Sequence, residues 1–445
     1  MTGYHLSRFA VALPVQDRKD ELIAVYSTLT EALILIPGSK WMNILNSAPT
    51  VDAETVGQLI QQGILIRGDV DETVVFKEWR QRHIHDFNTM RSKILVTRRC
   101  NNRCIYCILD PEAKDMTAET AYEIDNFYLE QIKRNHPQQV RDDYLGGEPL
   151  MNLDMIIESA SRRFYFCKGR GIDYGFTITT NGTLVTRTVI SKLKAVGLTA
   201  VRVSLAGPAE VHDRLRPYVG GGKTYETIMK NLEKISGSIP IRIECQYDAG
   251  ARDFEQIPEM LNDMNRRNIR VEDIAFTPIL EKRGNGEFCA GMGEVDNFLF
   301  LKQEAARRGL SVNGSVPSNL CMADFRSIYV FDTDGSIIPC PSLQGGEMAY
   351  GNVLTGIDFV AESQLLNRKL PDQCLKQCEL LPLCMGGCRL QALTRQRTIS
   401  GHKCSRHYLR MAFAAMGRHR EKAVSDHRRR FLGRSWKAVC QFDPL

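Results

Sequence analysis

Between residues 93 and 279 six short strand-like runs alternate with five amphipathic helical stretches. The run over 93–97 reads as a buried strand, and those over 141–145, 175–180, 201–205, 241–247 and 274–279 as further strands. Helical patterns over 117–132, 153–167, 188–196, 225–235 and 254–265 lie between them. Thr117 suits the N-cap of the first helix, whose apolar positions are Ala121, Ile124, Phe127 and Leu129. Gly197 stands where a helix-ending glycine belongs. This alternation predicts an α/β fold with a parallel sheet and right-handed crossovers. Six units are too few to close an eight-unit barrel, so the expectation is a curved, open, partial (β/α)6 barrel. Its active site should lie at the carboxyl ends of the strands.

The loop after the first of these strands carries Cys100, Cys104 and Cys107, a CxxxCxxC spacing. Three thiolates in one loop can hold three corners of an iron–sulfur cube and leave the fourth iron open to a chelating amine and carboxylate. A structural zinc site closes all four positions, and iron–sulfur clusters are ordinarily held by four cysteines. Alone, the spacing also admits a partial zinc site or buried thiols. One strand–helix unit later stands Gly146-Gly147-Glu148-Pro149. Paired glycines let backbone approach a ligand closely, and Glu148 can pair with an ammonium group. Alone, this segment also reads as a strand-to-helix turn.

Together the two segments resemble the radical S-adenosylmethionine (SAM) superfamily, over about residues 93–280. The resemblance implies a 4Fe–4S cluster on Cys100, Cys104 and Cys107, with the aromatic Tyr106 before the last of them. It implies that the open iron binds the amino and carboxylate groups of SAM, and that Gly146, Gly147 and Glu148 meet the methionine amine. One-electron cleavage of the sulfonium would then give methionine and a 5′-deoxyadenosyl radical that abstracts hydrogen from substrate. Asn181, in Thr180-Asn181-Gly182 at the end of the third strand, matches a polar position near the cofactor, or a turn with positive φ. Residues 204–208 and 212–217 look like the strand-four segment of peptide-modifying members, making Ser204 and Arg216 candidate cofactor contacts. Relatives usually have an acid where this chain has Ala206. His212 reads as a helix-end or packing histidine. No side chain is assigned as catalytic.

A third cysteine group lies beyond residue 312: Cys321, Cys340, Cys374, Cys378, Cys384, Cys388 and Cys404. Two zinc sites are one reading of it. The pattern closely resembles the SPASM extension of radical SAM enzymes, with three residues instead of two between Cys374 and Cys378. That resemblance implies two auxiliary 4Fe–4S clusters, one on Cys321, Cys340 and Cys388, the other on Cys374, Cys378, Cys384 and Cys404. Some relatives have a further cysteine shortly before the first of the seven. Here Ser315 occupies that region and the nearest upstream cysteine is Cys289, which implies an open iron or a non-cysteine ligand. Relatives that mature anaerobic sulfatases have an aspartate after the second cysteine, where this chain has Pro341. That argues against formylglycine formation. Cys167 and Cys245 read as buried apolar residues, and neither they nor Cys289 and Cys440 are taken as ligands.

The first 67 residues read as strands over 9–15, 22–27 and 32–36, helices over 39–46 and 51–62, and a strand over 64–67. This is a small winged-helix-like α+β module, followed by an acidic turn and a polar linker to residue 85. Its order resembles the peptide-recognition domain of enzymes that modify ribosomally made peptides, which bind a leader segment as an added strand; a structural cap is the alternative. The expected domains are 1–90, the recognition-like module and linker; 91–311, the radical SAM core; 312–404, the SPASM domain; and 405–445, a basic helical tail. In that tail Arg418, Arg420, Lys422, Arg428, Arg429, Arg430 and Arg434 form a solvated face or a contact for an acidic partner. Aromatic residues are not interleaved with them, which sets nucleic acid aside. No apolar run is long enough to span a membrane, and fourteen cysteines without a secretion signal point to metal binding in the cytoplasm.

The expectation is a three-cluster radical SAM/SPASM enzyme that oxidatively modifies a peptide or protein, for example by crosslinking. An electron donor such as ferredoxin or flavodoxin would serve it, with an auxiliary cluster accepting an electron or holding substrate. Maturation of a metalloenzyme or protein-derived cofactor is the first alternative, a non-catalytic iron–sulfur protein the second.

Overall fold

Two small antiparallel sheets open the chain. The computed structural model describes residues 3–16, 21–46, 52–107, 109, 114–248, 250–279, 294–311, 318, 320–343 and 348–419. Strand β1 (Tyr4–Leu6) pairs with β5 (Leu65–Arg67), while β2 (Ala10–Gln16), β3 (Glu21–Ser27) and β4 (Leu33–Pro37) form a meander. Helices α1 (Gly38–Leu45) and α2 (Ala53–Gln61) complete a small core of Val25, Ile36, Trp41, Ile44, Leu59, Ile64 and Leu65. Asp52 caps α2 by accepting from the Thr55 amide at 2.6 Å.

The polar stretch expected as a linker is instead a helix, α3 (Glu72–Ile84). Asp71 caps it through the Thr73 amide, and Phe76, Trp79 and Ile84 are buried along one side. Charged residues between these anchors mask the helical period in the sequence. Strand β1, also unexpected, exists because β5 supplies a partner some 60 residues away.

The six apolar runs form β6 (Thr89–Thr97), β7 (Gln139–Gly146), β8 (Asp173–Thr180), β9 (Leu198–Leu205), β10 (Ile241–Tyr247) and β11 (Asp273–Pro278). They lie side by side in chain order, all parallel. Between them run α4 (Ala118–Asn135), α5 (Leu153–Lys168), α6 (Arg187–Lys194), α7 (Ala209–Leu215), α8 (Tyr225–Ile235) and α9 (Ile257–Arg266), with α10 (Glu294–Arg307) after β11. Thr117 caps α4 through the Thr120 amide at 3.1 Å. The face α4 buries is Ala121, Ile124, Asp125, Tyr128 and Ile132, with Phe127 and Leu129 only half-buried. The segment after residue 324 adds β12 (Ile328–Phe331) parallel to β6, then β13 (Ser336–Ile337), β14 (Gly351–Asn352) and β15 (Gly356–Ile357) antiparallel. Helix α11 (Phe359–Leu366) follows. The result is an α/β fold on a ten-stranded mixed sheet.

Alternate residues of each parallel strand face the helices. Ile94 and Val96 of β6, Val140 and Tyr144 of β7, Ile178 of β8 and Val203 and Leu205 of β9 belong to one core. One polar knot interrupts it. Arg163 of α5 donates to Asp125 of α4 at 2.7 Å, to Ser92 of β6 at 2.9 Å and to Asp142 of β7 at 3.1 Å, all buried. The guanidinium satisfies two carboxylates at once and ties both helices to the sheet in one register.

The chain divides into two compact units, residues 1–85, 314–324 and 367–445 in one, and 86–313 and 325–366 in the other. The first therefore also holds α12 (Asp372–Gln377), α13 (Arg389–Gln396) and α14 (Arg406–His419). Among the described residues no helix is long and apolar enough to cross a membrane. Ser315, Cys289, Cys440 and the basic side chains from Arg418 onward lie outside the residues whose side chains are described.

Candidate functional site

Parallel pairing puts the ends of β6 to β10 on one edge, and the sequence-derived candidates collect there. The cysteine loop begins three residues beyond β6 and is held first through its backbone. Arg103 and Ile105 donate to the carbonyls of Pro217 and Leu215 at 2.7 and 3.0 Å, and Val219 donates to Asn101 at 2.9 Å. The loop thus runs antiparallel to the segment after α7. Its three thiols are in no disulfide, partly exposed and close enough to influence one another's ionisation. Burial first, then the negative neighbours Glu148, Cys104 and Cys107, pushes the Cys100 thiol up to about 11, against a hydrogen bond from the Asn102 amide.

Gly146 and Gly147 serve the packing of this loop. The Gly147 amide donates to Thr97 at 2.9 Å and the Glu148 amide to Arg99 at 2.8 Å. A β-carbon on Gly146 would stand 2.2 Å from the Thr97 carbonyl oxygen, and one on Gly147 2.2 Å from that of Arg99. Gly146 also has φ +152°, a glycine conformation.

Glu148 is fully buried. Its carboxylate accepts from the Thr180 hydroxyl at 2.7 Å, the Asn181 amide at 2.8 Å and the Leu150 amide at 3.1 Å. Burial raises its pKa, opposed by those donors and by the charge of Arg216. Here the carboxylate locks the end of β7 to the end of β8. Asn181 continues the chain of contacts: its Nδ2 donates to Asn101 at 2.7 Å and lies 3.9 Å from the Cys100 sulfur, while its Oδ1 accepts from Thr183.

Tyr106, Arg216 and Gln246 form a closed triangle. Arg216 Nη1 donates to the Tyr106 oxygen at 2.7 Å and to Gln246 Oε1 at 2.9 Å, and the Tyr106 hydroxyl donates to Gln246 at 2.6 Å. The Arg216 charge acts on both Cys104 and Cys100. Arg216 Nε and Asn102 Oδ1 are buried with no hydrogen-bond partner among the described residues. Ser204 is half-buried on the sheet face opposite Val203 and Leu205, in register with Glu244 of β10.

Asn101, Asn102, Thr180 and Gln246 were not singled out from sequence. Gln246 carried a signal, being the polar member of an alternating strand. The asparagines carried none beyond their place between two of the cysteines.

His212 is buried on α7, where its Nδ1 accepts from the Ala206 amide at 3.2 Å. Burial, then the charge of Arg216, pushes its pKa well below the usual histidine range. The unfolded chain takes up a proton below about pH 6.5 and the folded chain does not, so stability falls as pH drops through that value, by up to about 1.4 kcal/mol per pH unit. His212→Gln should flatten this slope between about pH 6.5 and 5. Denaturant melts at stepped pH measure it, and equal slopes in the two proteins would refute the assignment.

In the other unit, Cys374 lies within α12, Cys378 at its end, Cys384 after the turn Leu381–Leu383, and Cys404 before α14. Cys374 interacts electrostatically with Cys378 and Cys404, as does Cys384, so the four thiols form one neighbourhood. Cys321 and Cys388 belong to the same unit and Cys340 to the sheet-bearing one. None of the described cysteines is in a disulfide, and Cys167 and Cys245 are fully buried. Among the described residues no three His, Cys, Asp or Glu side chains converge as a single metal ion would require.

The donor chemistry fits an iron–sulfur cube at residues 100–107: three soft ligands in one loop, N–H groups of Asn102 and Asn181 aimed at a sulfur, a nearby guanidinium, and unpartnered polar atoms beside them.

Comparison with known proteins agrees with this chemistry. The radical SAM superfamily model matches residues 94–268. Protein MJ0907 of Methanocaldococcus jannaschii, itself uncharacterised, is 32% identical over 258 residues, which are 56% of this chain and 84% of that one. A cysteine-type anaerobic sulfatase-maturating enzyme of Clostridium novyi is 23% identical over 327 residues, 65% of this chain and 85% of that one. The crystal structure of Streptococcus suis SuiB bound to precursor peptide SuiA superimposes with TM-score 0.55 at 16% identity, covering 91% of this chain and 99% of that one. With its cysteine loop at the strand ends, this chain belongs to the radical SAM superfamily of SAM- and iron–sulfur-dependent enzymes.

Proposed function

We propose that the chain is a radical SAM/SPASM enzyme that oxidatively modifies, for example crosslinks, a ribosomally made peptide. The observation that carries the reading is the cysteine loop, held beside Glu148, Asn181 and Arg216 at the strand ends. When bound, the cube and SAM supply one-electron cleavage of the sulfonium and a carbon radical that takes hydrogen from substrate. Cys100, Cys104 and Cys107 hold the cube. Asn102 and Asn181 direct N–H groups at the Cys100 sulfur, and Arg216 lends positive charge to a thiolate-rich site. Glu148 fixes the mutual position of two strand ends. Gly146, Gly147, Tyr106 and Ser204 complete the proposed cofactor surroundings. The remaining seven cysteines are assigned to two auxiliary 4Fe–4S clusters, with domains at 1–90, 91–311, 312–404 and 405–445. Ferredoxin or flavodoxin in the cytoplasm is the proposed electron source.

Three observations favour a peptide substrate. One fold relative is crystallised with a precursor peptide and one sequence relative matures sulfatases. In this chain β4 is an edge strand, paired only with β3 among the described residues. Leu33 and Leu35 are exposed on it, as are Met42 and Leu45 on the next helix, α1. An edge with free backbone groups and apolar side chains suits a leader peptide added as a strand. Pro341 turns the reading away from formylglycine formation.

The test is co-expression with a precursor peptide encoded beside the gene, read by mass spectrometry. The wild-type enzyme should remove two hydrogen atoms per crosslink. Leu35→Glu should weaken peptide binding at least tenfold, about 1.4 kcal/mol, without moving the melting temperature. A peptide of unchanged mass, with no deoxyadenosine formed under reductant, would sink the proposal.

A further inference from the structure

The unit that holds α12 to α14 buries two guanidinium groups against one carboxylate. The side chains of Arg368, Arg389 and Asp324 are all 0% exposed. Arg389 Nη2 lies 2.5 Å from Asp324 Oδ1, and Arg368 Nη1 lies 3.9 Å from Oδ2. Half-buried Arg80 adds a third cation within electrostatic range of Asp324 and Arg389.

Arg368 directs its N–H groups at backbone carbonyls. Nε donates to Gly401 at 2.8 Å, Nη1 to Gly387 at 2.8 Å, and Nη2 to Gly386 at 2.7 Å and again to Gly401. Gly386 and Gly387 lie between Cys384 and Cys388, and Gly401 stands three residues before Cys404. Gly386 has φ +98°, and a β-carbon there would come within 2.9 Å of the Arg368 guanidinium carbon. Arg389 follows Cys388 directly and donates to the Ile399 carbonyl at 3.1 Å. One guanidinium therefore joins two cysteine-bearing loops, and the other anchors the residue beside a third cysteine.

Backbone carbonyls take the hydrogen bonds of Arg368 and one of Arg389, and within the described trio two cations face one carboxylate. An uncompensated buried charge is strongly unfavourable. Cys321 and Cys384 lie within range of the Arg368 charge, and a cube held by thiolates is a net anion. We propose that Arg368 and Arg389 are positioning residues for the auxiliary iron–sulfur ligands, clamping the loops of Cys384, Cys388 and Cys404 and supplying the counter-charge that the bound clusters require. The inference rests on the reading of the C-terminal cysteines as cluster ligands.

Positive charge beside a cluster favours its reduced form, so removing that charge should lower the reduction potential. The test uses full-length chain with Cys100, Cys104 and Cys107 replaced by alanine, so that only auxiliary clusters report. Iron is counted, and the clusters are titrated against potential with paramagnetic resonance detection. Arg368→Met should lose auxiliary iron, or shift the reduced-to-oxidised ratio at fixed potential about tenfold toward oxidised, about 59 mV for one electron. Asp324→Asn, which removes the only carboxylate of the trio, should shift the ratio the opposite way. Arg368→Lys should keep more iron than Arg368→Met and a potential near the parent's. Opposite signs for Arg368→Met and Asp324→Asn, or iron lost from Met but kept by Lys, support the proposal. Shifts of the same sign, or equal iron and potential in all four proteins, overturn it. A chain that holds iron for only one cube before any cysteine is replaced removes the auxiliary-cluster reading itself. Clusters present but indifferent to Arg368 and Asp324 remove this inference alone.

Discussion

Replacing Cys100, Cys104 and Cys107 together by alanine should abolish deoxyadenosine formation and, on the proposed three-cluster reading, remove about a third of the iron from the reconstituted protein, while the fold persists. The thiols are partly exposed, and Cys100 accepts only long sulfur hydrogen bonds, from the Asn102 amide at 3.4 Å and Asn181 Nδ2 at 3.9 Å. The loop that carries them is held through the amides of Arg103, Ile105 and Val219, which the substitution leaves in place. Loss of three half-exposed sulfur atoms should therefore cost about 1 kcal/mol or less in the absence of iron. Activity depends on the same atoms without substitute. Glu148 is engaged with Thr180, Asn181 and Leu150, and Arg216 with Tyr106 and Gln246, so neither is free to replace a lost thiolate. Iron analysis, a melt of the apo proteins and chromatography for deoxyadenosine measure the three parts separately. Undiminished turnover in the triple variant would overthrow the placement of the radical-generating site.

The sheet was legible because burial of one strand face writes itself as alternating buried residues in short runs bounded by turns. Expected strands at 141–145 and 201–205 appear as Gln139–Gly146 and Leu198–Leu205, longer at ends where pairing continues past the apolar residues. Pro258 explains another difference. A proline favours the first turn of a helix and disfavours its interior, so the helix expected over 254–265 separates into a short turn, Asp253–Gln256, and α9. What was not legible depends on distant partners. The pairing of β1 with β5, and of β12 with β6 across more than two hundred residues, leaves no local period to read. The same division holds at the site. Cysteine spacing exposes ligands within one loop, whereas the triangle of Tyr106, Arg216 and Gln246 joins residues 110 and 140 positions apart and exists only after the sheet forms.

Gly147→Ala separates two physical accounts of the glycine pair and should be nearly as damaging as loss of the cysteines. If the glycines serve only to bring backbone near a ligand, the variant binds a full cube and loses affinity for SAM. The packing gives a different expectation. The new methyl carbon would stand 2.2 Å from the Arg99 carbonyl oxygen and 2.6 Å from its carbon, against backbone that cannot rotate away. Arg99 immediately precedes Cys100, so the displacement passes into the first proposed ligand of the cube. The hydrogen bond from the Glu148 amide to Arg99 weakens in the same movement, and with it the lock between β7 and the cysteine loop. Gly147→Ala should thus lose iron from the radical site before it loses anything else, with a stability cost of about 1–3 kcal/mol for the local clash. Gly171→Ala, at a positive-φ glycine (+69°) in open surroundings, is a control for loss of stability without a clash at the loop, and it should cost stability while keeping iron. A full complement of iron in Gly147→Ala, with only SAM binding impaired, would return the glycines to the ligand and reject the packing account.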